Sequence, residues 1–254
     1  MKILTGKQPK PRRTLLYGVH GIGKSTWATQ APNCLLINIE DGVGDIDCAK
    51  TQHLTTLEQV GDALLWLATN KHDFKTVAID SADWLESLIH AEVAKKAGKE
   101  SIADIGYGAG YKQALALWDK LLFKLDHLRT ENKMGVILIA HCAIKKHQDP
   151  EQESYDRYQP ALHDTASAML TEWCDEVLFA SYRVYLKKED QGFGKERAIA
   201  MGGAERFIRT QETAACMAKN RLAGMPSEIG FSYADYAKWF DGVSVSVPEV
   251  KGKS

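Results

Sequence analysis

The chain has 254 residues, 44% of them hydrophobic, and its 32 Lys and Arg nearly balance 33 Asp and Glu, for a net charge of -1. That length and apolar content supply one substantial core, or one domain with a small appendage. The charge balance excludes a global basic field, so a nucleic-acid partner would have to meet local basic residues.

The five cysteines, Cys34, Cys48, Cys142, Cys174 and Cys216, are odd in number and show no C-x-x-C spacing. They read as reduced, mostly buried thiols of a cytosolic protein. No apolar leader opens the chain and no stretch reaches the roughly 18 apolar residues of a membrane span, which implies a soluble, cytoplasmic protein.

Residues 1–13 are a basic arm with Lys7, Lys10, Arg12 and Arg13 around two prolines, either solvated or touching phosphate. A main domain is expected over 14–241 and a flexible tail over 242–254. Leu15, Leu16 and Tyr17 form a strand that breaks into "GVHGIGKST". Gly18, Gly23, Lys24 and Ser25 fit G-x-x-x-x-G-K-[ST], the P-loop, whose glycines let successive N–H groups turn toward an anion. Gly18, Gly21, Ile22, Gly23, Lys24, Ser25 and Thr26 are therefore the expected phosphate cradle. Lys24 would reach the β and γ phosphates and Ser25 would ligate Mg²⁺. The helix opening near Gly23 adds its positive end.

"CLLINIE", 34–40, reads as a buried parallel strand. Thr55 and Glu58 predict a capping box before a helix carrying Val60, Leu64 and Leu67. "KTVAID", 75–80, is the next strand, followed by a helix with Leu85, Ile89 and Val93. "IGYGAGY" leads into a long helix with Leu115, Trp118, Leu122, Leu125 and Leu128 on one face, and "GVILIAH", 135–141, is a further buried strand. This alternation predicts an α/β fold, a mostly parallel sheet sandwiched by helices. "EVLFASYRVYLKKED", "RAIAMGG" and "RFIRTQ" predict antiparallel strands added in the C-terminal third, with Gly192 and Gly194 in a turn. Ser232 and Asp235 predict a short capped helix around Trp239. The tryptophans, mainly at apolar helical positions, are expected in the core.

Ligands on parallel sheets gather at the carboxyl ends of the strands. "VAID" ends in Asp80, a Walker B form that holds the Mg²⁺ shell or, alternatively, caps the next helix. "INIE" ends in Glu40, which suits a general base for the attacking water, or an acidic turn before Gly42. "LIAH" ends in His141, either a γ-phosphate sensor or a packed structural histidine.

A P-loop, an acidic residue closing the next strand, an Asp-Ser Walker B and a polar-ended fourth strand together resemble the RecA-like recombinase core. "MAKNRLAGMP", 217–226, is similar to the K-N-K-x-x-x-P region of bacterial RecA, with the proline one residue later. The nearest likeness is to short phage-encoded, RecA-like ATP-binding proteins of single-strand annealing, through "GVHGIGKST", "INIEDG", "VAIDS" and "GYGAGYK". The resemblance spans roughly residues 12–231 and implies a RecA-like P-loop NTPase core that binds ATP and Mg²⁺. It makes Lys219 and Arg221 candidate fingers reaching a neighbour's ATP in a homo-oligomer, ring or filament. It makes Glu40 the catalytic base and His141 a switch. A planar guanidinium aimed at the γ-phosphate accelerates hydrolysis by about 10³ to 10⁵; a solvated strand end is the alternative reading.

DNA contacts are then expected in two loops. Residues 98–112 offer Tyr107, Tyr111 and Lys112 among glycines, with aromatic faces that stack on unpaired bases. Residues 143–164 offer Lys145, Lys146 and Arg157, although nearby acids offset that charge and an ordinary surface loop fits as well. The leading expectation is a DNA-dependent ATPase that promotes annealing or pairing of single strands, with a single-stranded-DNA-binding protein as a further partner. It would work in the cytoplasm, the host's if phage-encoded. The alternatives are a P-loop small-molecule kinase, for which no arginine-rich lid is evident, and a nucleotide-gated assembly ATPase with a protein partner.

Overall fold

The computed structural model describes residues 3–6, 8–149, 153–190 and 196–240. The expected tail at 242–254 and the turn at Gly192 and Gly194 lie outside the described residues.

Strand β1 (Arg13–Gly18) is the centre of the sheet because its apolar run is long enough to be buried on both faces. It pairs in parallel with β5 (Gly135–His147) on one side and β7 (Glu176–Asp190) on the other. Beyond β5 lie β4 (Thr76–Asp80), β2 (Cys34–Asn38) and the two-residue β3 (Ala49–Lys50), all parallel. Beyond β7 come β8 (Glu196–Arg209) and β9 (Glu228–Gly230), both antiparallel. The path is β3-β2-β4-β5-β1-β7-β8-β9.

Side-chain alternation divides the sheet cleanly. Leu15, Tyr17, Val77, Ile79, Val136, Leu138, Val177 and Phe179 join one core cluster, beneath α2 (Leu57–Thr69), α3 (Ala82–Lys96), α4 (Ala109–Thr130) and α5 (Asp164–Trp173). Leu16, Ala78, Ile137, Ile139, Leu178 and Ala180 join the other, with Trp27 of α1 (Lys24–Thr29) and Tyr236 of α6 (Tyr233–Ala237). Both faces are thus covered, as the strand-helix rhythm predicts.

Several local expectations shift. The capping box is Thr56 and Gln59, one residue on from Thr55 and Glu58: Thr56 Oγ1 accepts from Gln59 N at 3.2 Å, and Gln59 Oε1 accepts from Thr56 N at 3.2 Å. β2 ends at Asn38, so Glu40 stands two residues past the strand tip. β5 does not stop at His141. It runs on to His147 and pairs antiparallel with β6 (Tyr155–Pro160), so the loop expected over 143–164 is largely a two-stranded ribbon. β7 is not simply antiparallel: the α5 crossover delivers it parallel to β1 over 176–180 before β8 pairs with it from the other edge. "RAIAMGG" and "RFIRTQ" belong to the single strand β8. Trp239 falls beyond α6, whose N-cap is Ser232 as predicted.

Trp27 and Trp118 are core residues at 1% exposure, but Trp66 and Trp84 are nearly half exposed. Cys34, Cys174 and Cys216 are buried and Cys48 and Cys142 partly so, all as free thiols. Arg12 and Arg13 are not solvated. Arg12 pairs with the buried Glu176, and Arg13 lies 3.2 Å from both Asp126 and Asp175. Among the described residues no helix is long and apolar enough to cross a membrane.

Replacing Trp118 by Ala should cost about 3–5 kcal/mol of stability in urea unfolding, through lost burial and the cavity left in α4. Trp66→Ala, at a half-exposed site on α2, should cost on the order of 0.5 kcal/mol; equal losses would contradict the assigned core.

Candidate nucleotide-binding site

At the carboxyl end of β1 the backbone turns through two glycines with positive φ, Gly21 at 70° and Gly23 at 97°, a region that side-chain-bearing residues rarely adopt. Gly18 meets a different constraint: a Cβ there would lie 2.2 Å from the Ala180 carbonyl oxygen. The Ile22 side chain is core, so this residue can offer only backbone to a phosphate. α1 is six residues long, and its dipole adds less to the cradle than a full helix would.

Lys24 is only 6% exposed. Its ammonium donates to the carbonyls of Gly18 (3.1 Å) and Val19 (3.0 Å). Burial lowers its pKa, against the opposing pull of Asp80 and Glu40. A cation kept there needs negative charge, and a phosphate chain would supply it.

The carboxylates come from two neighbouring strands. Asp80, at the tip of β4, is 3% exposed; burial raises its pKa, and its hydrogen bond to Ser25 and the nearby Lys24 resist that rise. Glu40 is fixed through its main chain, Glu40 N donating to Asp80 O at 3.1 Å. Its Oε1 lies 3.4 Å from His141 Nε2. His20, Gly21, Gly23, Lys24, Ser25, Thr26, Glu40, Gly42, Asp80 and His141 all border one cavity of 270 Å³. A larger groove of 590 Å³ along α2 and α3 shares none of these residues.

His141 is doubly held by Asp83, in the first turn of α3. Asp83 Oδ1 accepts from His141 N at 3.0 Å, and Oδ2 lies 2.8 Å from Nδ1. The imidazole also stacks on His20, centroids 4.1 Å apart. The Asp83 hydrogen bond raises the His141 pKa over the opposing effect of burial. For Asp83, burial pushes upward, but the combined hydrogen bonds and charge of His141 bring the net value down.

Mg²⁺ fits the oxygen donors present. Ser25 offers a hydroxyl and Asp80 a buried carboxylate, and a hard cation of this kind completes its shell with water and substrate phosphates. Among the described residues no group of three or more His, Cys, Asp or Glu forms a site that would cage a metal alone.

The remaining expected residues lie elsewhere. Lys219 donates to the carbonyls of Thr171 and Glu172 at the end of α5, and its backbone pairs with Val177. Arg221 sits 3.5 Å from Asp175, beside the start of β1. The length of β1, about 17 Å, separates that end from Gly18, so Arg221 does not meet the loop of its own chain. Tyr107 is fully exposed at φ 56°, and Lys112 is exposed on α4. Tyr111 is instead stacked on His163, centroids 4.2 Å apart. Lys146 is exposed on the ribbon, whereas Lys145 pairs with Asp164 at 2.7 Å. Arg157 is corrected: it is 7% exposed and ion-paired to Glu212 at 2.6 Å, because β6 turns that side chain inward. A DNA contact through it is not available in this conformation.

Sequence reasoning missed Asp83, His20, Arg206 and Tyr182. Arg206 donates to Ile22 O at 3.0 Å and Tyr182 to Gly21 O at 3.3 Å, bracing the loop from β8 and β7. Asp83 had a signal, an acid three residues after the Walker B Asp. Arg206 had none, since its contact depends on β8 returning beside β7.

A family model described as an AAA domain matches residues 10–222, and the chain belongs to that family. It is a P-loop NTPase, of a family whose members bind nucleotide. No curated protein matches the chain.

The Asp83–His141 pair carries a pH signature. The contribution of His141 is complete below its ordinary pKa of 6.5 and is lost as pH rises through the raised folded value. That of Asp83 is present above 3.8 and is lost as pH falls through its lowered folded value. Wild-type stability in urea should therefore decline as pH rises above 6.5 through the raised folded value, and Asp83→Asn should flatten this decline. Parallel curves for the two proteins would contradict the pairing.

Proposed function

We propose that this AAA-family protein hydrolyses ATP with Mg²⁺, assembles on single-stranded DNA as a homo-oligomer, and promotes annealing or homologous pairing. The observation that carries the hydrolytic reading is the convergence of Lys24, Ser25, Asp80 and Glu40 on one small cavity. Lys24 neutralises charge that develops on the γ-phosphate. Glu40 orients and deprotonates the attacking water, and His141 at 3.4 Å fixes the direction in which Glu40 faces. Ser25 and Asp80 hold Mg²⁺, which when bound offsets phosphate charge.

Support for the DNA reading is local. Tyr107 projects fully into solvent, and Lys112 lies five residues away. The β5–β6 ribbon leaves the same edge of the sheet as the phosphate loop, with Ile144 and Lys146 exposed. Base stacking on an exposed ring contributes roughly 1–3 kcal/mol, and exposed lysines follow the backbone. Lys219 and Arg221, paired within their own chain at the end of the sheet away from the phosphate loop, are proposed to reach the nucleotide of a neighbouring subunit.

Steady-state hydrolysis should rise when single-stranded DNA is added at low salt, and should rise less with duplex. Equal rates with and without DNA would sink the DNA-dependent reading, and an ATP-driven change of oligomeric size without DNA would then favour a protein-partner assembly ATPase. Glu40→Gln should lower kcat by roughly 10² to 10⁴ while leaving nucleotide affinity nearly unchanged. Arg221→Ala should bind nucleotide but turn over poorly. Mixing it with Lys24→Ala should restore part of the rate if the arginine acts across an interface; no rescue would refute that role.

A further inference from the structure

Tyr182 and Arg206 are direct cross-strand partners in the β7–β8 register, beside the irregularity between Tyr182 and Val184. Their side chains take consecutive carbonyls of the phosphate loop: Tyr182 Oη donates to Gly21 O at 3.3 Å, and Arg206 Nη1 to Ile22 O at 3.0 Å. The guanidinium is itself held over the Phe231 ring, 4.9 Å from the centroid. A Cβ at Gly23 would lie 3.0 Å from Arg206 Nη1, so the glycine also leaves the guanidinium its place. Gly21 and Gly23 border the 270 Å³ cavity and the two bracing side chains do not, so the loop is gripped from outside.

A census of the loop's main-chain groups shows what the grip achieves. Of the six carbonyls from Gly18 to Gly23, five are held: Lys24 takes Gly18 and Val19, Tyr182 takes Gly21, Arg206 takes Ile22, and Trp27 N takes Gly23 at 2.9 Å. Among the described residues the N–H groups of Gly21 to Ser25 meet no acceptor. In a planar trans peptide the C=O of one residue and the N–H of the next point in opposite directions. Holding Gly21 O toward β7 therefore turns Ile22 N–H away from that strand, and holding Ile22 O toward β8 turns Gly23 N–H away likewise. The cavity bordered by Gly21, Gly23, Lys24 and Ser25 lies on that side. Successive N–H groups aimed into one concavity bind an anion.

We propose that Tyr182 and Arg206 are positioning residues for phosphate binding, which aim the N–H groups of Ile22 and Gly23 at the polyphosphate chain before the nucleotide arrives. This rests on the nucleotide-pocket reading above. Glycine makes the loop's positive φ values accessible, but it leaves many other conformations accessible too. A loop that spends only a fraction of its time in the binding arrangement loses apparent affinity by that fraction. A donor on each of two consecutive carbonyls removes this loss without touching the ligand. The antiparallel extension of the sheet thereby serves the site, because Arg206 reaches the loop only where β8 returns beside β7.

The test combines ATP hydrolysis with displacement of a fluorescent ATP analogue by ADP and by inorganic triphosphate, in Tyr182→Phe, Arg206→Met and the double variant. Arg206→Met should weaken ADP and triphosphate alike by about 10-fold, and Tyr182→Phe, which loses the longer contact, by about 3-fold, as expected for one hydrogen bond each. KM for ATP should rise by similar factors while kcat changes by less than about twofold, since these N–H groups hold phosphate in the ground and transition states alike. Urea unfolding run in parallel separates a loss of stability, which shifts the midpoint and leaves the affinity of the folded protein intact. Wild-type affinity in the double variant overturns the proposal, as does a fall in kcat with KM unchanged. A loss for ADP that triphosphate does not share also overturns it, because the pair would then act on the nucleoside. Failure of triphosphate to displace the analogue from the wild type counts against a preset phosphate cradle and overturns the proposal alone. Failure of the wild type to bind the analogue overturns the pocket reading together with it.

Discussion

A buried ammonium group organises this molecule. Lys24 sits almost out of reach of water, donating to two carbonyls of its own loop. Burial disfavours its charge, and Asp80 and Glu40 only partly offset that cost. The fold must therefore hold carboxylates close to the loop and leave room for a stronger anion. Both demands are met by strand order, with β5 between β1 and β4 and β2 beyond, so that Asp80 reaches the loop through its hydrogen bond to Ser25 and a cavity is left beside Lys24.

The same strand order makes β5 the strand shared by the pocket and the ribbon. Its buried half is core, His141 marks the point where it leaves β1, and its outer half is one arm of the projecting ribbon. One strand thus touches the phosphate loop, the acid proposed to activate water and the surface proposed for DNA. The Asp83 carboxylate is central here because it fixes the residue where these three roles meet. The basic cluster of Arg13, Arg129 and Arg221 surrounds Asp175 near the opposite end of β1.

How much of this was legible in the sequence follows the range of the interactions. The phosphate loop could be read because glycine spacing is a local backbone requirement, and the acids at strand tips because a strand and its end lie within a few residues. Burial of the central strands on both faces could be read from their nearly unbroken apolar runs. Arg157 was misread because its burial depends on pairing with β5, and the ribbon looked like a loop because polar, charged strands carry no hydrophobic signature. Tyr111 was read as a stacking surface for bases, but its partner His163 lies 52 residues away and only the folded chain brings them together. The braces from Arg206 and Tyr182 depend on the placement of β7 and β8 and left no trace in local pattern.

The most direct measurement is a crystal structure with Mg²⁺, ADP and aluminium fluoride. The account predicts that Lys24 Nζ leaves the Gly18 and Val19 carbonyls for the fluoride group, with Glu40 facing the water in line with it. A nucleotide bound elsewhere, or Lys24 still on its own loop with Glu40 turned away, would contradict it.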